Sequence, residues 1–281
     1  MGQLRAHGAI VAAAVLFGTT FVVVKDAVVD AQPVPFLAVR FLLGGLVTLP
    51  FALRRPSRPG EVRAGVLCGL ALLSGYVFQT VGLQYTTASV SAFITYLLVV
   101  IVPVISALVL RRPPRPPTVA GVVLGTVGLY LLTGKGLALG RGELLTLGCA
   151  VSFAIHIVLL AEFAPRFDPM RLNTVQLLVT GGACLIPGLF LGGYDFTAGA
   201  WAAAGYTAVA VSALALGLQM WGQRSVGPTR TSLLLMIEPV SAAVLGYARG
   251  ERLGARGAVG AAVILLGIAV AEAPVLRRAS P

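Results

Sequence analysis

The sequence predicts an all-α membrane protein with ten transmembrane helices arranged as two inverted five-helix repeats. Three observations lead there: an extreme balance of apolar over charged residues, span-length apolar runs from end to end, and an internal repeat of about 136 residues. Of 281 residues, 57% are apolar and 11% charged, whereas soluble domains carry roughly a quarter charged residues and somewhat under half apolar ones. A water-soluble fold has no means of covering that much apolar surface, so the bilayer is the solvent that the chain is written for.

A spanning helix needs roughly 20 mostly apolar residues. Runs of that kind, bounded by charges or by Pro and Gly, place the first span at Gly8–Val28, before Asp30, and the second at Val34–Leu53, between Pro33 and Arg54. The third, Ala64–Leu83, follows Arg63. The fourth, Ala88–Leu110, stops at Arg111, and the fifth, Thr118–Gly134, stops at Lys135. The next five are Gly142–Ala161, Leu172–Leu191, Thr197–Gly222, Val226–Ala248 and Ala255–Ala271. Arg5 followed by the apolar run Gly8–Val24, with Val29-Asp30-Ala31 as a weak cleavage site, also reads as a secretory signal. Because the segment has a counterpart in the second half, it is taken as the first span.

The formal charge of +11 does not form a continuous basic face, so no nucleic-acid partner is expected. The basic residues instead cluster between spans. If the amino terminus is cytoplasmic, that side carries Arg5, Arg54, Arg55, Arg58, Arg63, Arg111, Arg112, Arg115, Arg166, Arg171, Arg224, Arg230, Arg277 and Arg278. The opposite side carries only Lys135, Arg141, Arg249, Arg252 and Arg256. The positive-inside rule therefore predicts a multi-pass protein of the cytoplasmic membrane with both termini in the cytoplasm. The stretch Arg249–Arg256 argues the other way.

Shifting the sequence against itself superposes Pro33 on Pro169, Pro50 near Pro187 and Pro103 on Pro239, which predicts helix kinks in register, Pro103 and Pro239 among them. Gly121 and Gly128 match Gly260 and Gly267, a spacing suited to close helix contact. An odd number of spans forces the second copy to enter from the opposite face. The expected units are residues 1–137, residues 138–275 and a short cytoplasmic tail, 276–281. Inverted repeats meeting at the midplane are a transporter architecture, since two near-equivalent halves can exchange conformations around a central site.

Several motifs point to a family. They are Phe17-Gly18-Thr19-Thr20-Phe21, Arg40-Phe41, Tyr85-Thr86-Thr87-Ala88-Ser89, Met236-Ile237-Glu238-Pro239-Val240 and Gly250-Glu251-Arg252-Leu253. Over nearly its whole length the chain resembles an EamA-type member of the drug/metabolite transporter superfamily. Phe17 stands where the family often has Trp, and Arg111-Arg112-Pro113-Pro114-Arg115 stands where another acidic signature often follows the fourth helix. The resemblance implies export of amino acids or related metabolites through a central cavity formed by helices one to four and six to nine.

Ionisable groups at membrane depth are costly and mark candidate sites. Glu238 reads either as a cation or proton-coupling site or as a hydrogen-bonded structural residue at a kink. Arg40, whose repeat partner is Gln176, either clamps a substrate carboxylate, pairs with Glu238 or Asp26, or snorkels to the interface. His156, opposite Thr20 in the repeat, is a proton relay or a helix contact. Lys25 and Asp26 read as interfacial anchors. Polar stripes are expected through Ser91, Thr95 and Ser106, through Thr231, Glu238 and Ser241, and through Ser212, Gln219 and Gln223. The predicted substrate pathway is thus Thr20, Arg40, Gln79, Tyr96, His156, Gln219 and Glu238.

No cofactor and no metal is expected. Cys68, Cys149 and Cys184 lie within apolar runs without ligand spacing, and no GxxxxGK[ST] loop, HExxH or GxSxG is present. A small-molecule substrate, lipid, and a proton or ion gradient are the expected partners, with oligomeric state left open. The rival readings are a membrane scaffold or receptor without transport and, further off, an intramembrane enzyme.

Overall fold

The computed structural model describes residues 2–109, 116–133, 139–226, 231 and 234–279. Lys135 and the basic run Arg111, Arg112 and Arg115 lie outside these residues, as does Arg230, so the sidedness expected from them is not addressed by the structure. Among the described residues all regular structure is helical: α1 (Gly2–Ala27), α2 (Pro33–Leu53), α3 (Glu61–Gly82), α4 (Ala88–Thr95), α5 (Leu98–Val109) and α6 (Pro116–Thr133) come first. They are followed by α7 (Arg141–Phe163), α8 (Pro169–Phe190), α9 (Ala198–Gln223), α10 (Ile237–Ala248) and α11 (Gly254–Ala279). Six of these helices, α1, α2, α3, α7, α8 and α9, are long and apolar enough to cross a membrane, and shorter apolar helices accompany them.

The burial pattern is that of a multi-pass membrane protein. Leu43, Leu46, Val47 and Phe51 of α2 and Leu185, Ile186, Leu189 and Phe190 of α8 face outward, whereas Arg40, Thr48, Asn173, Gln176 and Thr180 of the same two helices are buried. Apolar groups turned out and polar groups turned in is the arrangement that lipid favours, because a polar group inside the bundle is kept from hydrocarbon, where it would have no partner at all.

α2 packs along α8, α6 along α11, α3 against α7 and α8, and α1 against α9 and α10. Small residues permit the closest approaches. A Cβ placed on Gly128 would fall 2.8 Å from the Gly260 carbonyl oxygen, and one on Gly267 would fall 3.0 Å from that of Gly121. The two glycine pairs singled out by their spacing therefore face each other across the α6–α11 contact.

Several sequence expectations need correction. Pro33 and Pro169 do not kink helices; each is the first residue of one, α2 and α8 respectively. A first-turn proline loses nothing, because its missing N–H would have no intrahelical partner anyway. Pro50 and Pro187 do lie inside α2 and α8. The fourth and ninth spans are not continuous helices. The fourth is interrupted at Tyr96–Leu97 and the ninth at Leu235–Met236.

Both interruptions lie upstream of a proline, the second only three residues before Pro239 and the first six before Pro103. Pro103 has no N–H to offer the Val99 carbonyl, and the chain upstream tightens into three-residue turns, with Leu97 N–H on Ile94 O at 3.0 Å and Val99 N–H on Tyr96 O at 3.1 Å. Pro239 likewise has none for Leu235, whose carbonyl accepts the Glu238 N–H at 2.9 Å instead. Pro239 lies in the first turn of a new helix, α10, so it starts that helix and pins Glu238 at its tip. α9 contains a π-helical segment, Thr207–Ala215.

Candidate functional site

The two interruptions meet. Tyr96 Oη donates to Glu238 Oε2 at 3.4 Å, joining the end of α4 to the first turn of α10. Around this pair lies a cavity of about 50 Å³, room for a few water molecules. Its polar wall is assembled from six helices: Thr20 of α1, Gln79 of α3, Thr95 of α4 with Tyr96 just beyond it, His156 of α7, Gln219 of α9 and Glu238 of α10. Phe17, Phe21, Tyr76 and Phe153 supply an aromatic wall.

Six of the seven pathway residues named from the sequence thus line one cavity, though they are up to 218 positions apart in the chain. Arg40 is the exception. It is fully buried, at 0% exposure, and does not line the cavity. Its guanidinium lies over the Tyr76 ring, 4.5 Å from the centroid, and 5.0 Å from that of Phe41. Tyr76 in turn makes an edge contact with Phe153 at 5.1 Å. Arg40 is therefore one aromatic ring away from the cavity.

Arg40 pairs with neither Glu238 nor Asp26, as the sequence had allowed. Its Nε donates to Ser212 Oγ at 3.0 Å, and Asp26 pairs with Arg249. Lys25 is more than an interfacial anchor: its Nζ donates to the carbonyls of Leu83 at 2.6 Å and Thr86 at 2.8 Å, closing the end of α3. This follows from helix termini leaving carbonyls without partners.

Behind the cavity runs a hydrogen-bond chain whose directions can be read from its fixed end. The carbonyls of Ser212 and Ala213 only accept, so the Asn173 amide nitrogen faces them, at 3.3 and 3.1 Å. Asn173 Oδ1 therefore accepts from Gln176 Nε2 at 3.0 Å. Gln176 Oε1 is left to accept from His156 Nε2 at 2.9 Å, so His156 carries its proton on Nε2. Ser212, Asn173 and Gln176 link Arg40 to His156. The π-helical segment of α9 presents those two carbonyls side by side, the kind of irregularity common at functional sites.

The expected polar stripes hold less well. Neither Thr231 nor Ser241 lines the cavity with Glu238: the break at Leu235–Met236 separates Thr231, which bonds the Val226 carbonyl, from the other two, and Ser241 turns its hydroxyl back to the Ile237 carbonyl. Ser91 contacts Thr146 at 3.3 Å. The side chain of Ser106 lies outside the described residues. Gln219 donates to Gln223 at 3.1 Å while lining the cavity.

Sequence reasoning missed Tyr76, Asn173 and Glu251. Asn173 and Gln176 are three apart on one helix face, a spacing that was available to find them. Glu251 accepts from Ala88 N–H at 2.8 Å, Ser89 N–H at 3.0 Å and Ser89 Oγ at 2.6 Å. It caps the start of α4 from the loop after α10, and no local pattern signals a contact across 162 residues. At the opposite end of the bundle, buried Glu61 accepts from Arg171 Nε at 2.7 Å, and Arg171 Nη1 reaches the carbonyls of Ala52 and Arg55 at 3.1 Å each.

The sequence pattern of the EamA-like transporter family matches residues 4–134 and again 140–272. The chain belongs to the EamA-like transporter family. An uncharacterized transporter of Archaeoglobus fulgidus is 33% identical over 271 residues, 94% of this chain and 95% of that one. A second uncharacterized transporter of the same organism is 38% identical over 159 residues, and the match spans 57% of this chain and half (50%) of the relative's length. The uncharacterized inner membrane transporter YedA of Escherichia coli K12 is 26% identical over 88% of this chain and 83% of its own. A solved crystal structure shares the fold, with a TM-score of 0.72 and 21% identity over 96% of this chain and 98% of that one. For an EamA-like protein, membrane transport of a small molecule is the function class that these relatives support.

Proposed function

We propose that the chain is a secondary transporter that exports amino acids or related small metabolites across the cytoplasmic membrane by alternating access. The observation that carries this reading is the cavity between the two interrupted helices, where Tyr96 and Glu238 meet and Thr20, Gln79, His156 and Gln219 converge. Interrupted helices at the contact of two repeats are where transporters build their substrate and ion sites, because a helix tip exposes backbone groups that a continuous helix would bond internally. Residues 1–137 and 138–275 are the two inverted repeats, with 276–281 a tail. The pairings of α2 with α8 and α6 with α11 bring second helix to second and fifth to fifth.

With both termini cytoplasmic, the network of Lys25, Asp26, Arg249 and Glu251 closes the outer end, and Glu61 with Arg171 ties the inner end. Glu238 is the residue for proton or cation coupling, and Arg40, His156 and the other cavity groups set the path of the cargo. Pro103 and Pro239 hold the interruptions open to movement. A cavity of about 50 Å³ is too small for an amino acid, so cargo entry requires the helices to part.

The test is uptake and efflux of a broad panel of labelled metabolites by purified protein in liposomes, with and without a proton gradient. At least one compound should move faster than in protein-free vesicles and slow when Glu238 becomes Gln. A panel on which no compound moves in either direction counts against transport and leaves the scaffold reading.

A further inference from the structure

We propose that Arg40 is a carboxylate-binding residue of the transport path, screened from the cavity in this conformation by the ring of Tyr76. The assignment rests on the transport reading above and narrows its cargo to small molecules that carry a carboxylate.

Arg40 stays charged under any physiological condition, and an unpaired buried charge is among the costliest groups a fold can hold. Yet Nε donates to Ser212 Oγ, while buried Nη1 and Nη2 meet no acceptor within 3.5 Å. The Tyr76 side chain also interacts with the guanidinium electrostatically, but it is a neutral partner that leaves the charge uncompensated. The ion pairs among the described residues are Arg166 with Glu162, Arg171 with Glu61 and Arg249 with Asp26, and Arg40 takes part in none. The faces of Tyr76 and Phe41 offset part of the cost through cation–π attraction. Stacking does nothing for the N–H groups at the guanidinium edge, which point within the plane of the group.

Those groups are also preorganised. Ser212 holds Nε, and Asn173 holds the backbone on which Ser212 is carried. The two aromatic faces fix the plane. What remains free is the pair of amino groups, a fork that matches the two oxygens of a carboxylate. The route to it is short: Tyr76 stacks on Arg40 and lines the cavity, so a turn of that one ring joins the guanidinium to the space that holds Glu238. A structural role would be expected to have satisfied the fork within the protein, as Arg171 is satisfied by Glu61, Ala52 and Arg55.

The experiment measures binding by the full-length protein in detergent, using thermal unfolding followed by equilibrium dialysis. The probes are L-alanine, L-leucine and benzoate, the methyl esters of the two amino acids, and inorganic phosphate at matched ionic strength. At least one free acid should bind, with its ester or uncharged counterpart at least tenfold weaker. Arg40→Gln should weaken the acid at least tenfold, Arg40→Lys less so since it keeps charge without the fork, and Tyr76→Ala should retain or tighten binding. Wild-type protein provides a readout that needs no variant: phenylglyoxal should label Arg40, as seen by peptide mass spectrometry, and the bound acid should slow labelling at least tenfold.

Esters binding as tightly as acids, phosphate alone binding, no acid binding, unaltered binding in monodisperse Arg40→Gln, or an Arg40 that never labels would each overturn the assignment. The two readings fail separately. A neutral or cationic cargo carried equally by wild type and Arg40→Gln sinks the carboxylate site and leaves transport standing. Arg40-dependent acid binding without any passage in liposomes does the reverse.

Discussion

Tyr96 and Glu238 touch where two broken helices face each other, each of them upstream of a proline in its own stretch of chain. Pro103 withholds a donor from the turn after Tyr96, and Pro239 leaves the Leu235 carbonyl to the N–H of Glu238. The carboxylate and the phenol are thus carried on helix ends, not on helix sides. A helix end can pivot at lower cost than a continuous helix can bend, because its terminal backbone bonds are already unmade.

This contact can be separated into a binding part and a structural part. Tyr96→Phe removes one neutral donor and should lower stability by about 0.5–1.5 kcal/mol, read by unfolding in mixed micelles. Glu238→Gln keeps the volume but removes the charge and should slow gradient-driven transport at least about tenfold while unfolding much as wild type does. A Glu238→Gln protein with undiminished transport would falsify the coupling role.

Glu251 caps α4 with its two carboxylate oxygens on two backbone N–H groups and one hydroxyl. Glu251→Ala leaves those donors bare and should cost about 0.5–2 kcal/mol. Hydrogen exchange at Ala88 and Ser89 should quicken before the rest of the bundle does. Uniform exchange across the bundle, with no lead at these two amides, would show that the cap does not hold this end on its own.

At the other end, Glu61 is 1% exposed and is held by Arg171 together with the N–H groups of Asp168 and Arg58. Arg171→Leu leaves a buried carboxylate with backbone N–H partners only and should destabilise by about 1.5–3 kcal/mol. Removing both charges, with Glu61→Leu added, should recover a large part of that loss. A double variant worse than the single one by the full cost of a second lesion would mean that the two residues act independently.

The α6–α11 contact depends on backbones meeting at glycine. In Gly260→Val the new side chain meets the Gly128 carbonyl oxygen, which a bare Cβ would already approach to 2.7 Å, and backbone cannot yield as a side chain does. Overpacking of this kind costs about 1–3 kcal/mol. Gly8→Ala is the control, since open space surrounds that position inside α1, and it should unfold no earlier than wild type, with a gain of up to about 1 kcal/mol from helix propensity.

Much of the site was legible one residue at a time. Glu238, His156 and Arg40 stand out in any apolar run because burying them is expensive, and the larger polar groups Gln79, Tyr96 and Gln219 stand out for the same reason in weaker form. What could not be read was which of them meet. The polar stripe drawn through Thr231, Glu238 and Ser241 assumed an unbroken helix; the break at Leu235–Met236 takes Thr231 off it, and Ser241 donates its hydroxyl to the Ile237 carbonyl. Tyr76 was passed over because a tyrosine is unremarkable in a membrane span until a guanidinium is found on its face.

Composition and spacing determined the solvent, the helical class and the polar residues that demand an explanation, since all of these follow from transfer costs that each residue incurs wherever it is placed. Tertiary structure decided the partners. Arg40 chose Ser212 over Asp26 or Glu238, Asp26 chose Arg249, and Glu251 capped a helix 162 residues away. Those choices depend on distances of a few ångströms between helices remote in the chain, and a contact of that kind leaves no trace in the order of residues along either helix.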